Sequence, residues 1–369
     1  MDSPGLYIHV PFCRTKCPYC DFYSVTSTGR ISAWLDALEK EAILYKDDFD
    51  PFDSLYLGGG TPSLLGQAEL TRLAGGLFRT LAFSPDTEFT IEANPDDIDA
   101  DKPAVMRDLG INRFSLGAQS FSEKDLLYLK RRHSVGQTEK ALRSIRRAGF
   151  KNIGIDLIYG FEGQTEKRWM ETMARVLEFE PEHISCYQMT FEPGTPFTRM
   201  NENGRIKPLG ASRERAFSVL TSRFLTEHGY IHYEISNYAR SEEFRSRHNQ
   251  KYWNHTPYLG LGPAAHSFRN GERWWNPRSV TRYCEAVRNG RSPVEAREVL
   301  SQEQLRMETV FLGFRTLRGV DLKDLGQDAG VPAILSRLKA SKLIKVEGER
   351  IYPTLKGFLI ADSLPLLFA

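Results

Sequence analysis

The sequence predicts an α/β protein with a parallel sheet, followed by a smaller C-terminal domain of short helices and a hairpin. From Leu6 to about Gln188, six short apolar runs alternate with amphipathic segments, the pattern of strand–helix units joined by right-handed crossovers. Beyond about residue 296 the spacing changes to short helices and a hairpin. A chain of 369 residues also exceeds one ordinary core, so a large domain with an appendage is expected.

Each element of this architecture is predicted by its own periodicity. The predicted strands are Leu6–Val10, Ser54–Leu57, Glu88–Ala93, Arg113–Leu116, Asn152–Tyr159 and His183–Gln188. The helices between them are Ile31–Tyr45, Ala68–Leu81, Lys102–Leu109, Gln137–Ala148 and Glu166–Phe179. After a turn-rich break at 191–196, a helix over Ser212–His228 and a strand over Tyr230–Ser236 extend the sheet. We therefore expect a core at 1–190, an extension at 191–295 and a C-terminal domain at 296–369.

The C-terminal domain is predicted to be winged-helix-like. Helices over Gln302–Leu317, Leu322–Ala329 and Val331–Ala340 precede a hairpin of Leu343–Glu347 and Arg350–Pro353. Such domains often bind DNA, but here the lysines are offset by nearby acidic residues. We expect a lid or docking module that binds no nucleic acid.

Composition limits the class of protein. The chain is 41% hydrophobic and 26% charged with a net charge of +2, and no apolar run approaches the roughly 20 residues that cross a bilayer. A cytoplasmic protein is expected, not membrane-spanning, which leaves peripheral membrane contact open. Five cysteines without an apolar leader also argue against a disulfide framework.

Three cysteines carry the strongest chemical signal. Cys13, Cys17 and Cys20 follow the first predicted strand in Cys-x-x-x-Cys-x-x-Cys spacing. Structural zinc sites use four protein ligands, and a [4Fe–4S] cluster has four iron corners, so three cysteines leave one corner open. The other two, Cys186 and Cys284, are isolated in apolar surroundings, as buried thiols often are. The spacing therefore favours a [4Fe–4S] cluster with one free iron.

The cysteine segment resembles the cluster loop of the radical S-adenosylmethionine (SAM) superfamily. Pro11 and Phe12 precede the cysteines, and Tyr19, Asp21 and Phe22 surround the last of them. In that family the free iron binds SAM, and reduction of the cluster cleaves SAM to a 5′-deoxyadenosyl radical. The resemblance implies a partial, six-unit (β/α)6 TIM-like barrel that is open along one side.

A glycine run supports the same resemblance. The second predicted strand leads directly into Gly58, Gly59, Gly60 and Thr61, where backbone can approach a ligand closely. A glycine triplet alone is a weak signal. One strand after the cysteine loop, it resembles the family motif that binds the SAM amino group.

Polar residues at the ends of later strands complete the predicted SAM site. Glu92, Gln119, Arg131 and Asp156 lie where a parallel barrel would gather them at one mouth. Each alone would suit a local cap or ion pair. Together with Tyr7 they match SAM-binding positions in the coproporphyrinogen-oxidase-like branch of the family, where carboxylates suit ribose hydroxyls and an arginine suits the SAM carboxylate.

That branch contains oxygen-independent coproporphyrinogen III oxidase and the HemW-type haem chaperones. The oxidase has a further cysteine at the position of Phe22, where HemW-type chains have phenylalanine. The oxidase also has an N-terminal extension, whereas twelve residues precede Cys13 here. The resemblance thus implies a chaperone that binds a [4Fe–4S] cluster, SAM and haem and passes haem to acceptor proteins. The alternative is the oxidase reaction, radical decarboxylation of coproporphyrinogen III.

Two histidines are candidates for haem contact. The segment from His248 to Trp253 fits the His-Asn-x-x-Tyr-Trp signature of HemW-type proteins, which is associated with haem. Imidazole is a regular axial ligand, and Tyr252 and Trp253 would cover the porphyrin or else pack as ordinary core. His266 competes as the ligand and matches a position lining the SAM and substrate pocket of the oxidase.

Basic residues surround these candidates in the sequence. The residues concerned are Arg245, Arg247, Arg269, Arg273 and Arg278, with Trp274 and Trp275 among them. They form either a solvated basic surface or a patch that holds haem propionates or an acidic protein partner.

Overall fold

A computed structural model of the chain describes residues 3–326 and 329–368. Within these residues twelve strands form one mixed sheet and three more form a second sheet. The large sheet contains β1 (Gly5–Val10), β2 (Phe52–Gly59), β3 (Phe83–Ala93), β4 (Arg113–Gln119), β5 (Ile153–Tyr159), β6 (His183–Gln188), β7 (Ile231–Glu234), β8 (Asn237–Ala239), β9 (Tyr258–Leu261), β10 (His266–Arg269), β11 (Glu272–Trp275) and β12 (Ala296–Val299). The small sheet contains β13 (Val320–Asp321), β14 (Ile344–Glu347) and β15 (Arg350–Pro353).

Helices connect and cover the strands. They are α1 (Ile31–Leu44), α2 (Gln67–Thr80), α3 (Lys102–Asp108), α4 (Glu123–Tyr128), α5 (Val135–Arg147), α6 (Glu166–Leu177), α7 (Pro196–Glu202), α8 (Ala211–Glu227), α9 (Arg247–Asn254), α10 (Val280–Arg288), α11 (Gln302–Gly313), α12 (Val331–Ala340) and α13 (Leu355–Phe358). Short 3₁₀ helices lie at Pro62–Leu64, Pro95–Asp97, Glu242–Phe244, Leu322–Leu325 and Pro365–Phe368.

The six predicted strand–helix units form a parallel sheet in sequence order, which confirms the predicted fold class. Strands β1 to β6 pair successively in parallel, and β9 adds in parallel on the other side of β1. The complete order is β12-β11-β10-β9-β1-β2-β3-β4-β5-β6-β8-β7. In the described part of the chain no ladder joins β7 to β12, so the partial barrel stays open there.

The apolar core lies between the parallel strands and the helices that cover them. Leu6, Ile8 and Val10 of β1 are fully buried on the face that the helices cover, whereas Tyr7 and His9 alternate with them on the face toward the barrel interior. Trp34 of α1 and Trp169 of α6 are also fully buried, so the helices bring large side chains into the same core.

The predicted strand over Tyr230–Ser236 forms as β7 (Ile231–Glu234), which extends the large sheet as expected but ends two residues early, where the chain turns into β8. The buried Glu234 carboxylate accepts hydrogen bonds from the backbone N–H of Ser236, at 3.3 Å, and from the Asn237 side chain. These local bonds turn the chain. From the sequence, no helix is predicted where α4, α7, α9, α10 and α13 form.

The C-terminal residues form their own apolar cluster around Val310, Phe314 and Ile351. The predicted helix over Leu322–Ala329 is a 3₁₀ helix at Leu322–Leu325, and residues 327 and 328 lie outside the described residues. The three domain boundaries stay predictions. Among the described residues, no helix combines the length and apolarity needed to cross a membrane.

Candidate functional site

The three cysteines lie on a loop at the carboxyl end of β1. Its base is closed by backbone hydrogen bonds from Cys13 N to the Val25 carbonyl, at 3.0 Å, and from Val25 N to the Pro11 carbonyl, at 2.7 Å. Inside the loop, Cys20 N donates to the Cys17 carbonyl at 3.1 Å. The loop therefore presents the thiols on a fixed backbone at the barrel mouth.

Hydrogen-bond donors from two other segments of the chain point at two of the sulfurs. Thr61 Oγ1 lies 3.3 Å from Cys13 Sγ, and Arg131 Nη1 lies 3.3 Å from Cys17 Sγ. Burial raises the pKa of Cys20 to about 11, so the free thiol is protonated at neutral pH. Donors of this kind stabilise thiolates that hold an iron–sulfur cluster.

Across residues 3–326 and 329–368, no three His, Cys, Asp or Glu side chains converge on a single metal ion. A [4Fe–4S] cluster does not need such convergence, because each thiolate binds a different iron corner. The cysteine loop is therefore compatible with a cluster.

The glycine run packs directly against the cysteine loop. Gly60 N donates to the Val10 carbonyl and Thr61 N to the Phe12 carbonyl, both at 2.8 Å. A Cβ atom at Gly60 would lie 2.7 Å from both of those carbonyl oxygens, so only glycine permits this approach. Gly59 has a φ of 100°, in the region that glycine favours.

Two carboxylates face the barrel interior. Glu92 accepts hydrogen bonds from Tyr56 OH at 2.9 Å and from Gly59 N at 3.2 Å. Burial, aided by the charge of Asp156, raises the pKa of Glu92 to about 7. Asp156 Oδ2 accepts from Ser115 Oγ at 2.8 Å, while its Oδ1 has no hydrogen-bond partner. These oxygens are suited to accept further donors from a ligand.

Arg131 reaches the mouth after helix α4 has reversed the chain. Its guanidinium donates to Asn94 Oδ1 at 2.5 Å and to the Gly117 carbonyl at 2.9 Å, while Nε has no partner. Gln119 ends β4 with a φ of 64°, a strained conformation for a residue with a side chain. Strain of this kind is common at ligand sites.

These groups share one cavity of about 540 Å³. The predicted site residues that line it are Cys13, Cys17, Cys20, Phe22, Gly59, Gly60, Thr61, Glu92, Gln119, Arg131 and Asp156. Tyr7, His248, Tyr252, Trp253 and His266 are not among its lining residues. The unpartnered polar atoms that face this space fit a polar ligand beside the cysteine loop.

Sequence analysis missed several residues of the cavity. Asn94 accepts a hydrogen bond from Arg131, and Tyr56 donates one to Glu92. Arg113 also lines the cavity; its Nε lies 3.8 Å from the Glu88 carboxylate, and neither Nε nor Nη2 makes a hydrogen bond. Arg113 was detectable, because a charged residue opening a buried strand is the same signal that revealed Glu92 and Asp156.

The His-Asn-x-x-Tyr-Trp segment forms helix α9 at the opposite end of the barrel. His248 is 1% exposed, and its ring nitrogens lie 3.1 Å from Ser54 Oγ and 2.8 Å from Tyr252 OH. Burial lowers the pKa of His248 to about 3, so its imidazole is neutral. Trp253 lies beneath the guanidinium of Arg315, at 5.9 Å. The ligand role of His248 stays a prediction.

His266 is exposed on β10 and stacks on Trp275 at 5.7 Å. The arginines around these histidines do not gather in one patch. Arg247 bonds to Asp86 near the start of β3, whereas Arg278 bonds to the Asp21 carbonyl beside the cysteine loop. The two therefore lie at opposite ends of the parallel strands.

Comparison with known proteins agrees with this geometry. The family model of the radical SAM superfamily matches residues 7–176. The haem chaperone HemW of Bacillus subtilis is 33% identical over 97% of this chain and 97% of its own length. HemW of Mycobacterium tuberculosis is 34% identical over 98% of this chain and 93% of its own. The structure of coproporphyrinogen III oxidase (HemN) from Escherichia coli superposes with a TM-score of 0.84 over 100% of this chain and 90% of that one, at 24% identity, and so shows the fold alone.

The fold and the family match over residues 7–176 define a radical SAM domain, a class of domain for which a [4Fe–4S] cluster and SAM are implied. Because the HemW relatives match along nearly the whole chain, the chain belongs to the HemW family.

Proposed function

We propose that this protein is a cytoplasmic haem chaperone that binds a [4Fe–4S] cluster, SAM and haem and transfers haem to acceptor proteins. The observation that carries the proposal is the match to HemW proteins over nearly the whole chain. Phe22 supports it, because this exposed side chain at the cavity rim stands where the oxidase has an extra cysteine.

In this proposal the cofactors occupy the cavity at the barrel mouth. Cys13, Cys17 and Cys20 hold the cluster, which supplies the electron that cleaves SAM when both are bound. The residues proposed to contact SAM there are Gly59, Gly60, Thr61, Glu92, Gln119, Arg131 and Asp156. Tyr7, also predicted for SAM, does not line the cavity and lies behind it, next to Gly58. The hydrogen bonds around Glu92 and Arg131 fix these side chains in place before a ligand enters.

Gly59→Val is expected to weaken SAM binding at least about tenfold while the cluster is retained. A Cβ at this position would lie 2.5 Å from the His9 ring, and the φ of 100° strains any branched residue. Equilibrium dialysis with SAM on anaerobically reconstituted protein measures the affinity.

Gly66→Ala is the matched control, since a Cβ there meets only Glu69 Oε2, at 3.6 Å, and the φ is −74°. It should bind SAM as the wild type does. Equal SAM affinity in wild type and Gly59→Val would contradict the placement of SAM against this loop.

Of the two histidines, we propose His266 as the axial ligand of haem. Its side chain is exposed and makes no hydrogen bond or ion pair within the described residues. Partial desolvation of the ring at this site, together with the nearby Arg278 and Arg273, lowers the pKa of His266 below its usual value, so the imidazole is neutral and its lone pair is free at pH 7. Arg278 also lies beside Asp21 and Phe22. Its guanidinium would suit a haem propionate, and the Phe22 ring would suit the porphyrin face.

Haem titration tests this assignment. Wild-type protein should develop a Soret band with imidazole ligation, and His266→Ala should shift that band and weaken binding by about tenfold or more. His228→Ala, which alters an exposed histidine at the end of α8, should behave as wild type. A His266→Ala protein with the wild-type spectrum and affinity would rule out His266 as the ligand.

Two assays then test the function itself. Haem-loaded protein should transfer haem to an apo-form of a b-type haem protein, followed by the acceptor's own spectrum. Anaerobic incubation with SAM, reductant and coproporphyrinogen III should yield no protoporphyrinogen. Absence of haem binding together with protoporphyrinogen formation would reject the chaperone and identify the oxidase.

A further inference from the structure

Helix α9 closes the amino-terminal ends of three barrel strands. Lys251 Nζ lies 2.6 Å from Asp53 Oδ1 in β2 and 2.7 Å from the Ser3 carbonyl, which precedes β1. The backbone N–H of His248 donates to Glu88 Oε1 in β3 at 3.3 Å. The helix that carries the His-Asn-x-x-Tyr-Trp segment is therefore built into the floor of the barrel.

Both ring nitrogens of His248 are used in hydrogen bonds within this floor of the barrel. Ser54 Oγ and Tyr252 OH occupy its two ring nitrogens, and the ring stacks on Tyr56 at 5.2 Å and on Tyr7 at 6.2 Å. An iron atom would reach either nitrogen only after one of these hydrogen bonds broke and the floor opened.

From His248 a short chain of contacts leads into the cavity. Tyr56, on which the imidazole stacks, donates its hydroxyl hydrogen to Glu92 at 2.9 Å. Gly58 lies between them, and a Cβ there would be 2.9 Å from the Tyr56 ring and 3.0 Å from Glu92 Oε1. Asn249, the next residue of α9, lines the same cavity. The floor helix and the carboxylate proposed for SAM thus share one packed network.

We propose that His248 is a positioning residue of the SAM pocket, which acts by holding Tyr56 and, through its hydroxyl, Glu92. This deepens the proposed function only in its SAM-binding part. A residue that orients a ligand-binding group from behind acts as an outer-shell partner does in a metal site. Its loss leaves the cysteine loop intact and allows the carboxylate to move.

A double-mutant cycle on the SAM dissociation constant tests the proposal. His248→Ala and Tyr56→Phe are each expected to weaken SAM binding about tenfold in the reconstituted full chain. Because His248 acts through the Tyr56 hydroxyl, the double variant should also lose about tenfold, whereas independent effects would give about a hundredfold. Cluster iron content should match the wild type throughout, and His228→Ala serves as the control.

The absorption spectrum of bound haem distinguishes a positioning role of His248 from a role as haem ligand. His248→Ala should keep the wild-type Soret position, and a lost imidazole signature would overturn the proposal by making His248 the haem ligand. An additive cycle, or an unchanged SAM affinity in folded His248→Ala, would overturn it as well.

A milder variant covers the case in which His248→Ala does not fold. Tyr252→Phe removes only the hydroxyl bonded to His248 Nε2 and should weaken SAM binding about threefold. Unchanged affinity in that variant would again contradict the proposal. If the wild-type protein binds no haem but the mutant cycle on SAM affinity is non-additive, the proposed haem-chaperone function is rejected and the proposed role of His248 is supported.

Discussion

Cys17→Ala is expected to abolish the [4Fe–4S] cluster while the chain stays folded. Anaerobic reconstitution of the wild type should give about four iron atoms per chain with broad thiolate-to-iron absorption, and the variant should give nearly none. Cys17 is half-buried on the loop, and its sulfur receives the Arg131 hydrogen bond, so its removal costs a ligand and little core packing.

The remaining cysteines offer no replacement. Cys186 is buried in β6 and Cys284 in α10, away from the loop that carries the other two thiols. Cys284→Ala is therefore the matched control and should retain the full iron content. A complete cluster in Cys17→Ala would show that the cysteine loop has been assigned wrongly.

Glu41→Ala is expected to lower the free energy of unfolding by about 3–5 kcal/mol. Glu41 lies in α1 with no exposed surface, and its carboxylate accepts hydrogen bonds from Gly262 N at 2.8 Å, Asn276 Nδ2 at 2.6 Å and Tyr283 OH at 2.6 Å. Truncation would leave those donors unpaired in the core and would loosen the segment that leads to His266. Denaturant unfolding of the full chain measures the change.

Glu39→Ala, two residues away on the same helix, is the control. Its carboxylate pairs with Arg72 at a half-exposed site, so less than about 1 kcal/mol should be lost. The Glu41 effect should also depend on pH. Burial raises the pKa of Glu41 to about 7, above its value in the unfolded chain, so its contribution is greatest in acid and declines as pH rises to about 7. A gap between wild type and Glu41→Ala that widens over this range would contradict the assigned burial.

The sequence predicted the barrel core well because each parallel strand is buried on both faces. In β5 the apolar run around Asp156 made both the strand and the anomalous carboxylate visible. Local patterns also sufficed for Cys13, Cys17 and Cys20, since their spacing is set within one loop. The cavity joins them to Glu92 and Asp156 because successive parallel strands end at one mouth.

The placement of the haem-associated segment could not be predicted in the same way. His248 contacts Ser54, 194 positions earlier, and no periodicity reports a partner at that distance. The sequence motif around His248 indicated a haem ligand. The burial of His248 instead depends on the assembly of β1, β2 and β3 beneath α9, which the motif does not report. The break after Glu234 escaped notice for a related reason, because a buried side chain rather than a turn residue reverses the strand there.

The pairing of β1 with β9 governs when the protein can finish folding during synthesis. Gly5 is in register with Tyr258 and Ile8 with Leu261, so the strand that carries the cysteine loop gains its second neighbour only after residue 261 has left the ribosome. At about 5–20 residues per second, this delay amounts to tens of seconds. During this delay β1, the first strand to be made, has one unpaired edge. The cysteine loop that follows it emerges long before the barrel around it is complete.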